Sequence, residues 1–267
     1  MKKAGYLLIS LSLVLLITGA VMGLAYWQDL QTQQLEAEVL SELRSQIEVT
    51  SDPSPTPAES FQPEANLASV ETSVPALPSQ TLEIQANPHF QFLKRNSDYV
   101  GWIEINDTRI DYPIVRGQDN EYYLDHSFEQ VKNSAGAIFM DYRNIGNGDD
   151  HHTLIYGHHM RNQSMFAELD QFLDPGFWSE HREFEVDYLF SQKRYRVFAA
   201  YETKADAYMV QTQFDPESFA DYLTRVTDAS VHQNDTEVTF VDKLLTLATC
   251  AYSTDDARLV VHAVLIP

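Results

Sequence analysis

Leu244-Leu245-Thr246-Leu247-Ala248-Thr249-Cys250 is followed, after seven residues, by Arg258-Leu259-Val260-Val261-His262-Ala263-Val264-Leu265. Both runs are aliphatic and β-branched, free of Gly and Pro, and read as strands. The first stops at the only cysteine of the chain, and the second opens on an arginine. If the two strands are neighbours, the loop of residues 251–257 returns the guanidinium to the side of the thiol. A cation in that place stabilises a thiolate or an oxyanion. The plain alternative is a rim arginine paired with Asp255 or Asp256.

Working upstream, short β-rich runs recur between turn signals. Strands are predicted near 100–106, 109–115, 136–140, 153–157, 183–190, 194–201, 237–247 and 258–266. Eight strands in about 180 residues point to a closed barrel or a sandwich. Helices are predicted at 88–96, 119–125, 162–172 and 215–229. The last opens with Asp215 as N-cap and Pro216 at the first helical position. Its Phe219, Tyr222, Leu223 and Val226 follow the spacing of a helix packed on a core.

Ahead of this domain the chain changes character. Residues 4–28 are uncharged and mostly apolar, preceded by Lys2 and Lys3 and ending in Tyr26 and Trp27. About 20 apolar residues cross a bilayer core, so residues 1–28 read as a single-pass signal-anchor with a cytoplasmic N-terminus. The rival reading is a cleaved signal peptide, with Gly23 and Ala25 as the small residues of the cleavage site. Either way the chain is exported. Leu35, Val39, Leu43 and Ile47 recur every four residues, giving an amphipathic stalk over 28–48 that reads as a solvated helix. Pro53, Pro55, Pro57, Pro63, Pro75 and Pro78, among Ser, Thr and Glu, make the following stretch an extended tether. The domains are therefore an anchor (1–28), a stalk and tether (29–80) and a globular domain (81–267).

The whole chain has 267 residues, with 39 acidic and 18 basic side chains, for a net charge of −21. Such a balance argues against nucleic acid as a partner, since phosphate binding draws on clustered Lys and Arg. A single cysteine excludes an internal disulfide and a Cys-rich metal site. Among nine histidines, two adjacent pairs stand out. His151-His152 lies in a polar loop and reads as solvated. His158-His159 follows a predicted strand and Gly157, where side chains at strand ends serve function. Neighbouring histidines point apart on a strand, and the H-E-x-x-H spacing is absent, so no metal or other cofactor is expected. Taken alone, Cys250 reads as an inert core residue, as an intermolecular disulfide partner or as a reactive thiol awaiting a histidine and a cation.

The segment Thr246-Leu247-Ala248-Thr249-Cys250 with Arg258 eight residues on resembles the cysteine–arginine signature of sortases. Leu154-Ile155-Tyr156-Gly157-His158 resembles their histidine segment. Val100-Gly101-Trp102-Ile103, Ile110-Asp111-Tyr112-Pro113-Ile114-Val115, Asp119-Asn120-Glu121-Tyr122-Tyr123-Leu124 and Gly136-Ala137-Ile138-Phe139-Met140-Asp141 are similar to class B members in particular. The resemblance covers roughly residues 86–267. It implies a mainly β fold: an eight-stranded sortase-type barrel with N-terminal helices and a helix between strands 6 and 7.

It also implies a cysteine transpeptidase of Gram-positive type, with Cys250 as nucleophile, His158 as general acid/base and Arg258 at the oxyanion. Asn120, Leu124 and Tyr156 match positions that help hold the sorting peptide. The implied partners are sorting-signal-bearing surface proteins cleaved after Thr, and an amine of a peptidoglycan precursor or a pilin. Catalysis would then take place outside the membrane. Two departures stand out: Ala248 where many class B members have Ser, and no acid directly after Cys250. A secreted cysteine protease and a non-enzymatic surface scaffold are the alternatives.

Overall fold

The computed structural model describes residues 2–50, 89–204, 210–233, 235–250 and 257–267, with side chains from Ile17 onward except at a few helix and strand positions, Cys250 and Ala257 among them. The Pro-rich tether, the boundary at residue 81, and Asp255 and Asp256 lie outside the described residues.

Alternation of apolar residues builds eight strands: β1 (Tyr99–Glu104), β2 (Asp111–Val115), β3 (Ile138–Met140), β4 (His152–His158), β5 (Glu183–Tyr188), β6 (Ser191–Lys204), β7 (Leu244–Cys250) and β8 (Ala257–Ile266). They close into a barrel in the order β1-β2-β3-β4-β7-β8-β6-β5. The β2–β3 and β4–β7 pairings are parallel and the others antiparallel. Closure gives every strand a neighbour on both sides. Pro113 lies where β2 has β1 alone as a neighbour, opposite Trp102, since β3 pairs only with Ile114 and Val115.

The barrel is filled by inward residues such as Ile103, Ile114, Ile155, Phe166, Val186, Val197, Leu245, Leu247, Val261 and Ala263, all fully buried. Thr246 and His262 alternate with these and face outward. The predicted strand at 237–247 begins only at Leu244, because Thr239 and Asp242 close a turn through Asp242 Oδ2.

Outside the barrel lie α1 (Lys2–Thr50), α2 (Phe90–Arg95), α3 (Pro175–Glu180) and α4 (Pro216–Ala229). Among the described residues no helix is long and apolar enough to cross a membrane. About half of the apolar run at 4–28 falls ahead of Ile17, the first described side chain. The second half of α1 is not a solvated stalk. Leu43 is fully buried, and Val39, Leu40 and Ile47 pack with it against Phe92, Trp102 and Tyr123. Arg44 fastens the contact by donating to Asp111 through Nε (2.6 Å to Oδ2). Only Leu35 of the predicted stripe is exposed, at 63%.

Helix α4 starts as expected, with Asp215 accepting from Ser218 N in a capping box and Pro216 in the first turn. Phe219, Tyr222 and Val226 pack on Phe198, Tyr201, Leu244 and Val260 of the barrel's outer face. Two predicted helices are smaller than expected. Residues 119–125 make only a 3₁₀ turn at Tyr122–Leu124, since Asp119 Oδ1 captures the N–H groups of Glu121 and Tyr122. Residues 162–172 give a 3₁₀ stretch at Ala167–Leu173.

Candidate active site

The parallel pairing of β4 and β7 runs from His152↔Leu244 to Tyr156↔Ala248, and ends at His158↔Cys250. β8 returns antiparallel beside β7, with Ala248 opposite Val260. The paired residues end there, and Cys250 and Arg258 each lie two residues beyond them on the two strands. His158, Cys250 and Arg258 thus stand toward one end of three adjacent strands. Helix α4 packs on the other end of this outer surface, over Leu244 and Val264.

Gly157 makes this strand end possible. Its inward position is filled by Ile138 and Phe166, which a Cβ would overlap. A residue without a side chain is thus required between Tyr156 and His158, which occupy the opposite face.

His158 is buried, and its Nε2 donates to the carbonyl of Leu124 at 2.6 Å. A carbonyl only accepts, so Nε2 is the protonated nitrogen of the neutral ring. His159 points elsewhere, its Nε2 pairing with Asp170 Oδ2 at 2.7 Å on an exposed surface. Arg258 is half-buried, and its Nη1 donates to Thr249 O at 3.2 Å, the carbonyl just before Cys250. Thr249 Oγ1 accepts from Leu259 N at 2.9 Å, locking the two strands together at this end.

The other three candidates gather around the same place. Leu124 supplies the carbonyl that holds His158. Asn120 Nδ2 and the Tyr156 hydroxyl both donate, at 2.9 Å each, to Oδ2 of one buried carboxylate, Asp141. Neither Asp141 nor its partner Arg143 stood out from the sequence, where acidic residues are abundant. Arg143 donates to Asp141 from Nε at 2.8 Å and from Nη2 at 2.7 Å. Burial drives the Asp141 pKa up, but Arg143, Asn120 and Tyr156 outweigh it and leave the group below the ordinary carboxyl value.

The expectation that His151 and His152 are solvated fails for His152. Its ring is fully buried, between Gln211 O (2.6 Å) and Thr246 Oγ1 (2.7 Å). Thr246 Oγ1 also meets His262 Nδ1 at 2.7 Å, and the Tyr201 hydroxyl meets His262 Nε2 at 2.9 Å. Burial lowers His152 to about 4 and His262 well below the usual value. Both rings are thus neutral packing elements beneath α4. Among the described residues, no three His, Cys, Asp or Glu side chains come together as a metal site.

A closed eight-stranded barrel with Cys, His and Arg at adjoining strand ends is the architecture of a sortase, and the sortase-domain family model matches residues 103–266. The chain belongs to the sortase family. Its relatives put it in class B. It is 42% identical to sortase B of Listeria monocytogenes, across 65% of this chain and 72% of that one. With sortase B of Staphylococcus aureus the identity is 34%, across 78% of this chain and 86% of the relative. A solved Staphylococcus aureus sortase B–substrate complex superposes with a TM-score of 0.64 at 35% identity, covering 68% of this chain and 85% of that one. This chain is accordingly a cysteine transpeptidase of the sortase B type, and neither the protease nor the scaffold alternative is favoured.

Proposed function

We propose that Cys250 is the nucleophile, that His158 moves the proton and that Arg258 stabilises the oxyanion. The observation that carries this is the strand register, which sets His158 level with Cys250 while Arg258 bonds the carbonyl beside it. The Cys250 thiolate attacks the carbonyl of a Thr in the sorting signal of an exported protein, giving a tetrahedral oxyanion held by the guanidinium. His158, as imidazolium, protonates the leaving amine, and the C–N bond breaks to leave a thioester. An incoming amine, from a peptidoglycan precursor or a pilin, then attacks the thioester. His158 takes its proton, and the thiolate departs.

Asn120, Leu124 and Tyr156 hold the sorting peptide. Their convergence on the His158 end of the barrel supports that role. We also propose that residues 1–28 anchor the enzyme in the cell membrane with the catalytic domain outside, on the strength of the uncharged apolar run at 4–28.

The test is to incubate the enzyme with a peptide cleaved after Thr, with and without triglycine, and to identify products by mass. Transfer product in the presence of triglycine, absent in Cys250→Ala, is expected. Full activity in that variant would sink the assignment, because no second cysteine exists.

A further inference from the structure

We propose that Asp141 is a positioning residue that sets the two sorting-peptide contacts Asn120 and Tyr156, with Arg143 as its counter-ion. The inference rests on the peptide-holding role proposed above for those two residues.

The Asp141 side chain is 0% exposed, and an isolated carboxylate is costly to bury. The Arg143 guanidinium answers that cost with a two-pronged pair, and the backbone N–H of residue 143 adds a bond to Oδ1 at 3.0 Å. A structural brace would be complete at that point. Yet Oδ2 also takes Asn120 Nδ2 and the Tyr156 hydroxyl, one from the loop after β2 and one from β4. Asn120 is tied at its other end too, since Oδ1 accepts from Tyr142 N at 3.0 Å. Both side chains are therefore fixed in hydrogen-bonding sense as well as in place.

The consequence for recognition is specific. With its proton committed to Asp141, the Tyr156 hydroxyl meets a peptide as an acceptor. With Oδ1 taken by Tyr142, Asn120 meets it as an N–H donor. One acceptor and one donor suit the N–H and C=O groups of an extended backbone. Arg143 Nη2 also donates to Val210 O at 2.7 Å, which links the segment ahead of α4 to the same carboxylate.

The test uses the full chain and Asp141→Asn, Arg143→Gln, Asn120→Ala, Tyr156→Phe and the Asp141→Asn/Tyr156→Phe double variant. The readouts are steady-state transfer of a fluorogenic peptide cleaved after Thr to triglycine, alkylation of the single cysteine by iodoacetamide, and thermal unfolding. Asp141→Asn and Arg143→Gln are expected to raise KM about tenfold with kcat within about twofold, and to leave alkylation unchanged. The double variant should be no worse than the worse single one, because Asp141 acts through Tyr156.

Unchanged KM in Asp141→Asn and Arg143→Gln, or additive effects, with KM raised in Asn120→Ala and Tyr156→Phe, overturns the inference alone. Unchanged KM in Asn120→Ala and Tyr156→Phe removes the peptide-contact reading and this inference with it. Should Asp141→Asn fail to fold, Arg143→Gln carries the test, its side chain being 37% exposed.

Discussion

Arg258 holds the carbonyl of Thr249 with one nitrogen, so the position of its guanidinium is tied to the backbone that presents Cys250. A lysine there keeps the charge and loses the planar fork. Arg258→Lys is therefore expected to lower kcat by about 10²-fold with a smaller change in KM, measured as steady-state transpeptidation. Near-normal kcat would reduce the role to charge alone. The two adjacent histidines should separate sharply. His158→Ala should cost about 10³-fold in kcat, whereas His159→Ala, which loses only an exposed pair with Asp170, should stay within about threefold. The reverse result would shift the histidine segment by one residue. These candidates could be picked out in the sequence because the one cysteine closes a strand, an arginine opens the next, and a histidine follows the break at Gly157. Asp141 could not. One acid among 39 carries no mark of burial until its partners, 15 and 21 positions away, are seen around it.

Strands were the more readable elements, since inward and outward residues alternate along each of them. Short helices were less so: α3 opens with Asp174-Pro175, the same signal as Asp215-Pro216, yet its six residues are too few to show a period. The pair His151-His152 misled because the polar residues before it hide that β4 begins at His152. That burial has a measurable result. Unfolded, His152 and His262 titrate near 6.5, while in the fold burial lowers His152 to about 4 and holds His262 well below its usual value. Between those values the unfolded chain binds the extra protons, so stability is full above about pH 6.5 and falls as pH drops. Each ring should contribute a slope of about 1.4 kcal/mol per pH unit, read from urea unfolding at pH 5 and 7. His262→Gln should flatten the slope, and an unchanged slope would refute the assignment. In β4 itself, Gly157→Ala drives a methyl into Ile138 and Phe166. A loss of about 1–3 kcal/mol in the same unfolding assay is expected, with activity falling alongside. Wild-type stability there would mean that the interior yields more easily than its packing indicates.

On the scale of the whole molecule, α1 matters beyond its N-terminal end. Leu43 enters the same apolar cluster as Tyr123, while Leu124 and Tyr156 pack on that cluster's flank. A chain starting at Thr81 retains the barrel but exposes Phe92 and Trp102, so it should fold with stability lower by about 2–5 kcal/mol than one starting at Asp29. Equal melting temperatures for the two would show that α1 docking contributes nothing. The long reach of the β4–β7 pairing has a different consequence. The strand that ends in His158 and the strand that ends in Cys250 are joined in parallel by a ladder whose two sides are separated by β5, β6 and α4 in the chain. No local segment holds both groups, and parallel ladders of this kind form late because loop closure must come first. Before that closure the proposed nucleophile and the proposed base lie on unpaired segments of the chain. If Cys250 and His158 act as proposed, acyl transfer has to wait until the last two strands close the barrel, and a half-made copy could not cut the proteins exported beside it.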